Sequence, residues 1–247
     1  MSIQDLADLC KRLSDRALDC SIAQPKGLQI YRQDPPTTID AFVYNPIVCL
    51  IVQGAKQTTV GEHTVQLGAG TCIVVGHDLP VLAKITDASA NEPYLALIIK
   101  LDLDVLRALE ADYGDLGVGL EPRALEAADV TPELQDVLTR YLHASQDPVD
   151  AEVLLPLLTK ELHYRLLRSD SGAMLRALSN RDSHASSIGR AIHRLRQEYR
   201  ETLDVSELAR FVGMSSSSFH RHFKSMTMTT PLQYQKDLRL LEAHQML

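Results

Sequence analysis

Alternating hydrophobic and polar positions dominate the chain from Leu28 to Leu101. Short runs rich in Val, Ile, Leu and Tyr are separated by Gly, Pro, Asp or Asn, as expected for strands joined by turns. One run, TVGEHTVQLGAG, predicts a hairpin whose turn is formed by Gly61 and Glu62. Because no helical period interrupts these runs, the pattern predicts an antiparallel barrel or sandwich of the jelly-roll type.

Helical periods flank this β-rich stretch on both sides. Residues 2–19 predict a helix laid against the barrel, with an apolar stripe made of Ile3, Leu6, Leu9, Cys10 and Leu13. Residues 102–112 are also helical in pattern, and the glycine-rich loop YGDLGVGLEP follows them. Beyond that loop, Thr131 predicts a helix N-cap. The apolar face of the helix that it starts is formed by Leu134, Val137, Leu138, Tyr141 and Leu142.

The next helix, DPVDAEVLLPLLTKELHYRLLR, is apolar around most of its circumference. Its apolar residues include Val153, Leu154, Leu155, Leu157 and Leu158. A helix that is apolar on more than one side needs more than one packing partner. Both sides could pack within one subunit, but we favour a helical hairpin that buries one face against a second copy of the chain. The polar stretch SNRDSHASS, residues 179–187, is interpreted as a linker.

The last segment contains the spacing of a helix-turn-helix. Ala209 is small enough for two helices to cross, Gly213 can adopt a positive φ in the turn, and Phe219 can anchor the second helix. Ser215 is placed to cap that second helix. The four serines of MSSSSFHRHFK therefore belong to a folded element and are not a flexible linker.

The second helix of this motif has one apolar and one polar side. At 100° per residue, Phe219 and Phe223 lie opposite the polar residues. Arg221 can make two hydrogen bonds to guanine, His220 can contact a base edge, and Lys224 suits a phosphate. Small serines in the first turn allow close approach to a groove. The predicted DNA-binding residues are Ser216, Ser217, His220, Arg221 and Lys224, and the alternative is an ordinary helical hairpin with a basic face.

Charge is distributed unevenly along the chain. Residues 180–247 contain 10 Lys and Arg against 7 Asp and Glu, whereas residues 1–179 contain 15 against 25, in a chain of net charge −7. A mildly basic segment attached to an acidic body indicates that the segment meets a polyanion, although a solvated Arg-rich surface would look the same. The amphipathic N-terminus and the absence of a long apolar run favour a cytoplasmic location.

The four cysteines, Cys10, Cys20, Cys49 and Cys72, show no paired C-x-x-C spacing. We interpret them as buried or idle thiols, with a redox sensor as the less favoured alternative.

Two parts of the sequence resemble a known family. MSxSxFHRHFK followed by TPLQYQKxLRLxEA is similar to the first helix-turn-helix and connecting helix of the AraC/XylS transcription regulators, and CLIVQGAK, DLPV and PYLALIIKLD resemble the cupin-type N-terminal domain of one branch. The resemblance implies that Ser217, His220 and Arg221 face bases, that the N-terminal domain senses an effector, and that the region between dimerises. Family members carry a second helix-turn-helix, so we expect this chain to stop inside a helix before it.

We therefore predict an α+β protein in which a cupin-like antiparallel β jelly roll with a helical dimerisation region precedes an all-α helix-turn-helix segment. The predicted boundaries are 1–112 for the effector-sensing domain, 113–178 for the dimerisation region, 179–187 for the linker and 188–247 for the DNA-binding domain. The expected partners are double-stranded DNA, a small-molecule effector, a second copy of the chain and RNA polymerase. We expect no cofactor and no membrane.

The candidate effector contacts within the barrel are the polar residues Gln53, His77 and Tyr94. Each could instead be a turn or rim residue that is satisfied by the backbone. A cupin-like barrel could also hold a catalytic metal. However, His63 and His77 are isolated, and His220 and His222 cannot face one ligand from a helix. We therefore predict no enzyme, no catalytic residue and no metal site, and the remaining alternative is a ligand-binding or structural dimer module without specific DNA binding.

Overall fold

Two antiparallel β-sheets form the N-terminal part of the protein, described here as a computed structural model that covers residues 2–19, 27–113, 125–180 and 183–245. Within those residues the strands are β1 (Leu28–Gln33), β2 (Asp40–Tyr44), β3 (Ile47–Gln53), β4 (Ala55–Val60), β5 (His63–Gly68), β6 (Thr71–Val75), β7 (Leu79–Asp87), β8 (Tyr94–Lys100) and β9 (Leu125–Asp129). One sheet has the order β1-β8-β3-β6-β9 and the other has the order β2-β7-β4-β5. The predicted hairpin is β4 and β5, joined at Gly61 and Glu62.

Helices precede, follow and cover the sheets. They are α1 (Ile3–Asp19), α2 (Leu103–Tyr113), α3 (Pro132–Ala144), α4 (Pro148–Leu167), α5 (Gly172–Ser179), α6 (His184–Gln197), α7 (Val205–Phe211), α8 (Ser216–Thr227) and α9 (Pro231–Gln245). Thr131 caps α3 and Ser215 caps α8, each through a side chain that accepts a hydrogen bond from a backbone N–H of the first turn. These elements confirm the predicted α+β class.

The first hydrophobic core lies on the outer face of the five-stranded sheet. Alternate residues of β3, Val48, Leu50 and Val52, point from the sheet toward the surrounding helices. The five residues predicted as the apolar face of α3 are all buried in this core. Burial on this face attaches the helical region to the barrel.

The second core lies between the two sheets and continues into the C-terminal helices. Cys49 and Ile51 of β3 face the four-stranded sheet, and Phe219, Phe223 and Tyr234 belong to the same contiguous cluster. The barrel and the C-terminal helices therefore share one core.

Hydrogen bonds reinforce this junction at the loop between β6 and β7. The Tyr234 hydroxyl donates to the Asp78 carbonyl oxygen at 2.5 Å. The Asp78 carboxylate forms an ion pair with Arg196 at 2.8 Å, and Arg196 also donates to the Asn45 side chain at 2.9 Å. Apolar packing and specific polar contacts thus both stabilise the junction between the barrel and the C-terminal helices.

Two predicted boundaries need correction. The range 113–178, predicted as helical, contains β9, which pairs with β6. Its alanines and glutamate favour a helix locally, but β6 offers an unpaired edge that only the folded sheet supplies. The range 179–187 is mostly not a linker, because Ser179 ends α5 and residues 184–187 begin α6, where Ser183 provides the N-cap.

Candidate functional sites

The turn between α7 and α8 has the geometry that its sequence predicts. Gly213 adopts a φ of +74°, which costs little only for glycine. The Met214 N–H donates to the Ala209 carbonyl at 2.9 Å, and the Gly213 N–H donates to the Arg210 carbonyl at 3.0 Å. Ala209 is fully buried where the two helices cross. These residues form a helix-turn-helix whose second helix is α8.

Helix α8 is anchored by two phenylalanines on its inner side. Phe219 and Phe223 are fully buried, and their ring centroids lie 5.4 Å apart. On the opposite side, all five residues predicted to bind DNA are exposed, namely Ser216, Ser217, His220, Arg221 and Lys224. The structure therefore brings the predicted residues together on one accessible helix, and their contact with DNA stays a prediction.

The guanidinium of Arg221 has no counter-ion among the described residues. No carboxylate of the described residues lies within 4.0 Å of the Arg221 guanidinium. Arg221 Nη2 lies 3.5 Å from His222 Nε2. The Ser216 hydroxyl makes a long contact to Ser206 Oγ at 3.4 Å. Arg221 is consequently available for a bidentate contact to an external acceptor.

Lys224 lies at the edge of this surface, beside the barrel. It lines a cleft of about 970 Å³ together with Glu62 and His63 of the β4–β5 hairpin. The hairpin tip closely approaches the end of α8, since a side chain at Gly61 would place its Cβ 3.3 Å from the Met228 carbonyl oxygen. Lys224 and the acidic Glu62 of the barrel therefore face the same cleft.

The three predicted effector residues do not converge on one site. Gln53 is half-buried, and its Nε2 donates to the Pro93 carbonyl at 2.8 Å. This hydrogen bond to the backbone is the alternative to an effector contact that the sequence analysis left open. Tyr94 is buried close by, edge-on to Tyr31 with ring centroids 6.1 Å apart, and burial raises the pKa of its hydroxyl. His77 lies beyond the opposite end of β3, about 20 Å away along the strand.

His77 instead lies at the junction between the barrel and the C-terminal helices. Its neighbour Asp78 belongs to that junction, because it contacts Tyr234 and Arg196. Gly76, on the other side of His77, packs against Leu178 of α5. Both ring nitrogens are buried, and burial lowers the pKa of the imidazole to about 4, although Asp78 and the Met226 backbone oppose this change. This position does not support contact with an effector held beside Tyr94.

Sequence reasoning missed a group of polar residues around a buried lysine inside the barrel, which we call the lysine cluster. It consists of Tyr31, Tyr44, Cys49, Lys56, Thr58 and Tyr94. Lys56 Nζ lies 3.4 Å from the Tyr44 hydroxyl and 3.4 Å from Cys49 Sγ. The signal in the sequence was strand alternation, which places Lys56 and Thr58 on the inward face of β4 together with Val60.

No group of three or more His, Cys, Asp or Glu side chains in the described part of the chain could hold a metal ion. None of the helices described has both the length and the apolar character that a membrane span requires.

Comparisons with known proteins identify one family whose model matches more than half of the chain. The model of the AraC-type transcriptional regulator N-terminus matches residues 24–174. The apo structure of a ToxT variant from Vibrio cholerae is 14% identical, with 85% of this chain and 97% of that chain covered and a TM-score of 0.40. The AraC-like transcriptional activator CuxR is 16% identical, with 88% and 77% covered and a TM-score of 0.35. No curated protein sequence gives a significant match.

Proposed function

Because this chain belongs to the AraC-type transcriptional regulators, we propose that it binds double-stranded DNA through α8 and responds to a small molecule held in its barrel. The observation that carries the DNA-binding proposal is the exposed polar side of α8, which lies opposite the buried Phe219 and Phe223. A helix fixed on one side and free on the other has the form required to enter a major groove.

Each of the five predicted residues of α8 has a chemical role in this proposal. Ser216 and Ser217 lie in the first turn, where small side chains and free backbone N–H groups favour a phosphate. Arg221 has the fork of donors that matches guanine, and His220 can donate to or accept from a base edge. Lys224 neutralises a phosphate on the side nearest the barrel. RNA polymerase remains a predicted partner.

The proposed division of the chain follows the predicted boundaries with the two corrections above. Residues 1–112 form the effector-sensing domain and 113–178 form the dimerisation region, apart from β9. The DNA-binding unit extends N-terminally to α6, whose first turn is held by Ser183. Because the DNA-binding unit packs against the barrel, an effector bound in the barrel can influence α8 through these contacts.

Replacement of Arg221 by alanine tests the role of α8. We expect specific DNA binding to weaken by about 2 kcal/mol and the preference at one base pair to relax, because a bidentate contact to guanine is lost. Duplexes would first be selected from a random pool with the unmodified protein. Fluorescence anisotropy on the selected duplex and its single-base variants would then give Kd for each protein.

Arg12→Ala provides the matched control, since Arg12 is exposed on α1 and its removal changes the net charge equally. It should leave the preference for each base unchanged. An equal loss of affinity on every duplex would make Arg221 a phosphate contact. Unchanged binding would place the DNA interface elsewhere.

Helix α4 supports the proposal that the protein is a homodimer. Val149, Val153 and Leu157 follow each other at four-residue steps, and they are 71%, 60% and 64% exposed. Three exposed apolar side chains on one helical face form a stripe that a second copy can cover about a twofold axis. Leu158, predicted to share this surface, is buried within the subunit instead.

Introducing charge into this stripe tests the dimer. We expect the double variant Val153→Glu and Leu157→Glu to sediment as a monomer at concentrations where the unmodified protein is a dimer, because two buried carboxylates would lack partners. Leu232→Glu, at an exposed position on α9, is the control and should leave the mass unchanged. A dimer that survives both α4 substitutions would place the interface on another face.

A further inference from the structure

We propose that the barrel binds a small anionic molecule, a carboxylate with an apolar or aromatic body, and that the ammonium group of Lys56 is its counter-ion. This inference rests on the proposed function, because it gives the chemical class of the effector. It is carried by an unpaired buried charge, an unpaired buried hydroxyl and the side chains around them.

Lys56 is an ammonium group inside the barrel without an acidic partner. The residue is only 7% exposed, and no carboxylate of the described residues lies within 4.0 Å of its Nζ. Its polar neighbours are a phenol and a thiol, each at 3.4 Å, and the Tyr44 ring centroid lies 5.2 Å away. The contact to the phenol oxygen is longer than a charge-assisted hydrogen bond, and a thiol sulfur is a weak acceptor. Buried lysines are normally paired, so the site lacks an anion.

The surroundings of Lys56 favour the charged form of its amino group. Burial favours the neutral amine, but the neighbouring Cys49 and Tyr44 outweigh it, and the pKa of Lys56 lies above its ordinary value. A charged ammonium donates hydrogen bonds and attracts an anion, whereas a nucleophile would have to be a neutral amine. Ion pairing therefore suits this residue better than covalent capture of a carbonyl compound.

Thr58 is an independent indication of a ligand. Its side chain is 1% exposed, and its Oγ1 has no hydrogen-bond partner. It occupies the next inward position of β4 after Lys56, about 6.7 Å along the strand. The hydroxyl can donate to an acceptor placed between the two residues. A carboxylate, which has two acceptor oxygens, can satisfy Lys56 and Thr58 together.

The remaining side chains indicate the body of the ligand and its route. Tyr31 and Tyr94 stand edge-on to each other, and Ile51 and Val60 belong to the same core cluster. Aromatic and aliphatic walls with a few convergent polar groups are typical of small-molecule sites. Tyr31 is 37% exposed on β1, an edge strand, so the cluster reaches the surface there.

Pairs of probes that differ only in charge test the proposal. Benzoate and octanoate would be compared with benzamide and octanamide by thermal unfolding and by tyrosine fluorescence, which is informative because the chain has 8 Tyr and no Trp. We expect at least one carboxylate to raise Tm by about 5 °C at a concentration about 100 times its Kd, and neither amide to do so. Lys56→Met should abolish this response, because it removes the counter-ion of the carboxylate.

Two further variants keep the test decisive. Lys100→Met, at an exposed position on β8, should retain the carboxylate response. Thr58→Val should weaken carboxylate binding by about tenfold, as expected for the loss of one hydrogen bond to a charged group. This variant decides the matter if Lys56→Met does not fold.

Three results would overturn the proposal: no response to either carboxylate, equal responses to the amides, or an undiminished response in Lys56→Met. DNA binding is measured separately, without ligand, on the selected duplex. A failure of DNA binding would therefore reject the proposed DNA-binding function without changing the carboxylate result. A failure of carboxylate binding would likewise reject the proposed ligand without changing the DNA-binding result.

Discussion

Truncation of Phe223 to alanine is expected to lower the free energy of unfolding by about 4 kcal/mol, because a fully buried ring is replaced by a cavity. Its ring centroid lies 5.4 Å from that of Phe219 and 5.6 Å from that of Tyr234, with the second pair nearly perpendicular. Both aromatic contacts are lost together with the apolar burial. Since these rings hold α8 against α9, specific DNA binding should fall with stability.

Urea unfolding followed by circular dichroism gives the change in stability. Phe211→Ala is the matched control, since Phe211 is 51% exposed on the neighbouring α7 and packs mainly against the Arg194 guanidinium. Its loss should cost less than about 1 kcal/mol. Equal effects of the two substitutions would show that Phe223 is not packed in the shared core.

Acid is expected to destabilise the protein through His77. The pKa of this imidazole is lowered by burial to about 4 in the folded state, whereas its ordinary value is 6.5. Between these values the unfolded chain binds a proton that the folded chain does not, so stability falls as the pH falls from 6.5 toward 4. The contribution of His77 over that window is about 3 kcal/mol.

The role of His77 is isolated by comparing unfolding free energies at several pH values. His77→Leu should remove most of the slope between pH 6.5 and 4, and His63→Leu, on the exposed start of β5, is the matched control. Burial also lowers the pKa of His163, so this residue adds a slope of the same sign to the dependence of the unfolding free energy on pH. This slope persists in both variants because His163 is unchanged in them. An unchanged slope in His77→Leu would mean that the imidazole is protonated in the folded protein.

Features set by neighbouring residues were predictable from the sequence. The cap of α8 depends on the Ser215 hydroxyl and an N–H three residues away, and the turn depends on the freedom of Gly213. The buried side of α8 follows from the spacing of Phe219 and Phe223. Each of these properties is decided within one or two helical turns, so a single sequence suffices to state it.

Features set by distant residues were not predictable. Strand β9 forms because β6 offers it an edge, although its own residues favour a helix. Lys56 is buried because β2 and β3 bring Tyr44 and Cys49 against it, and an isolated lysine in a strand usually faces solvent. His77 was assigned to the effector because it follows a barrel strand, but the packing of α9 on the same loop makes it part of a junction.

The core shared by the barrel and the C-terminal helices also determines how the chain can be degraded. Proteases cleave transiently opened segments, and their rate follows the population of the open form when opening is fast. Because Ile51 of the barrel and Phe223 of α8 belong to one cluster, opening of α8 disturbs packing that the barrel interior shares. A ligand that stabilises the barrel would then lengthen the cellular lifetime of the DNA-binding unit. Under the proposed function, the effector would thereby control the amount of regulator as well as its occupancy of DNA.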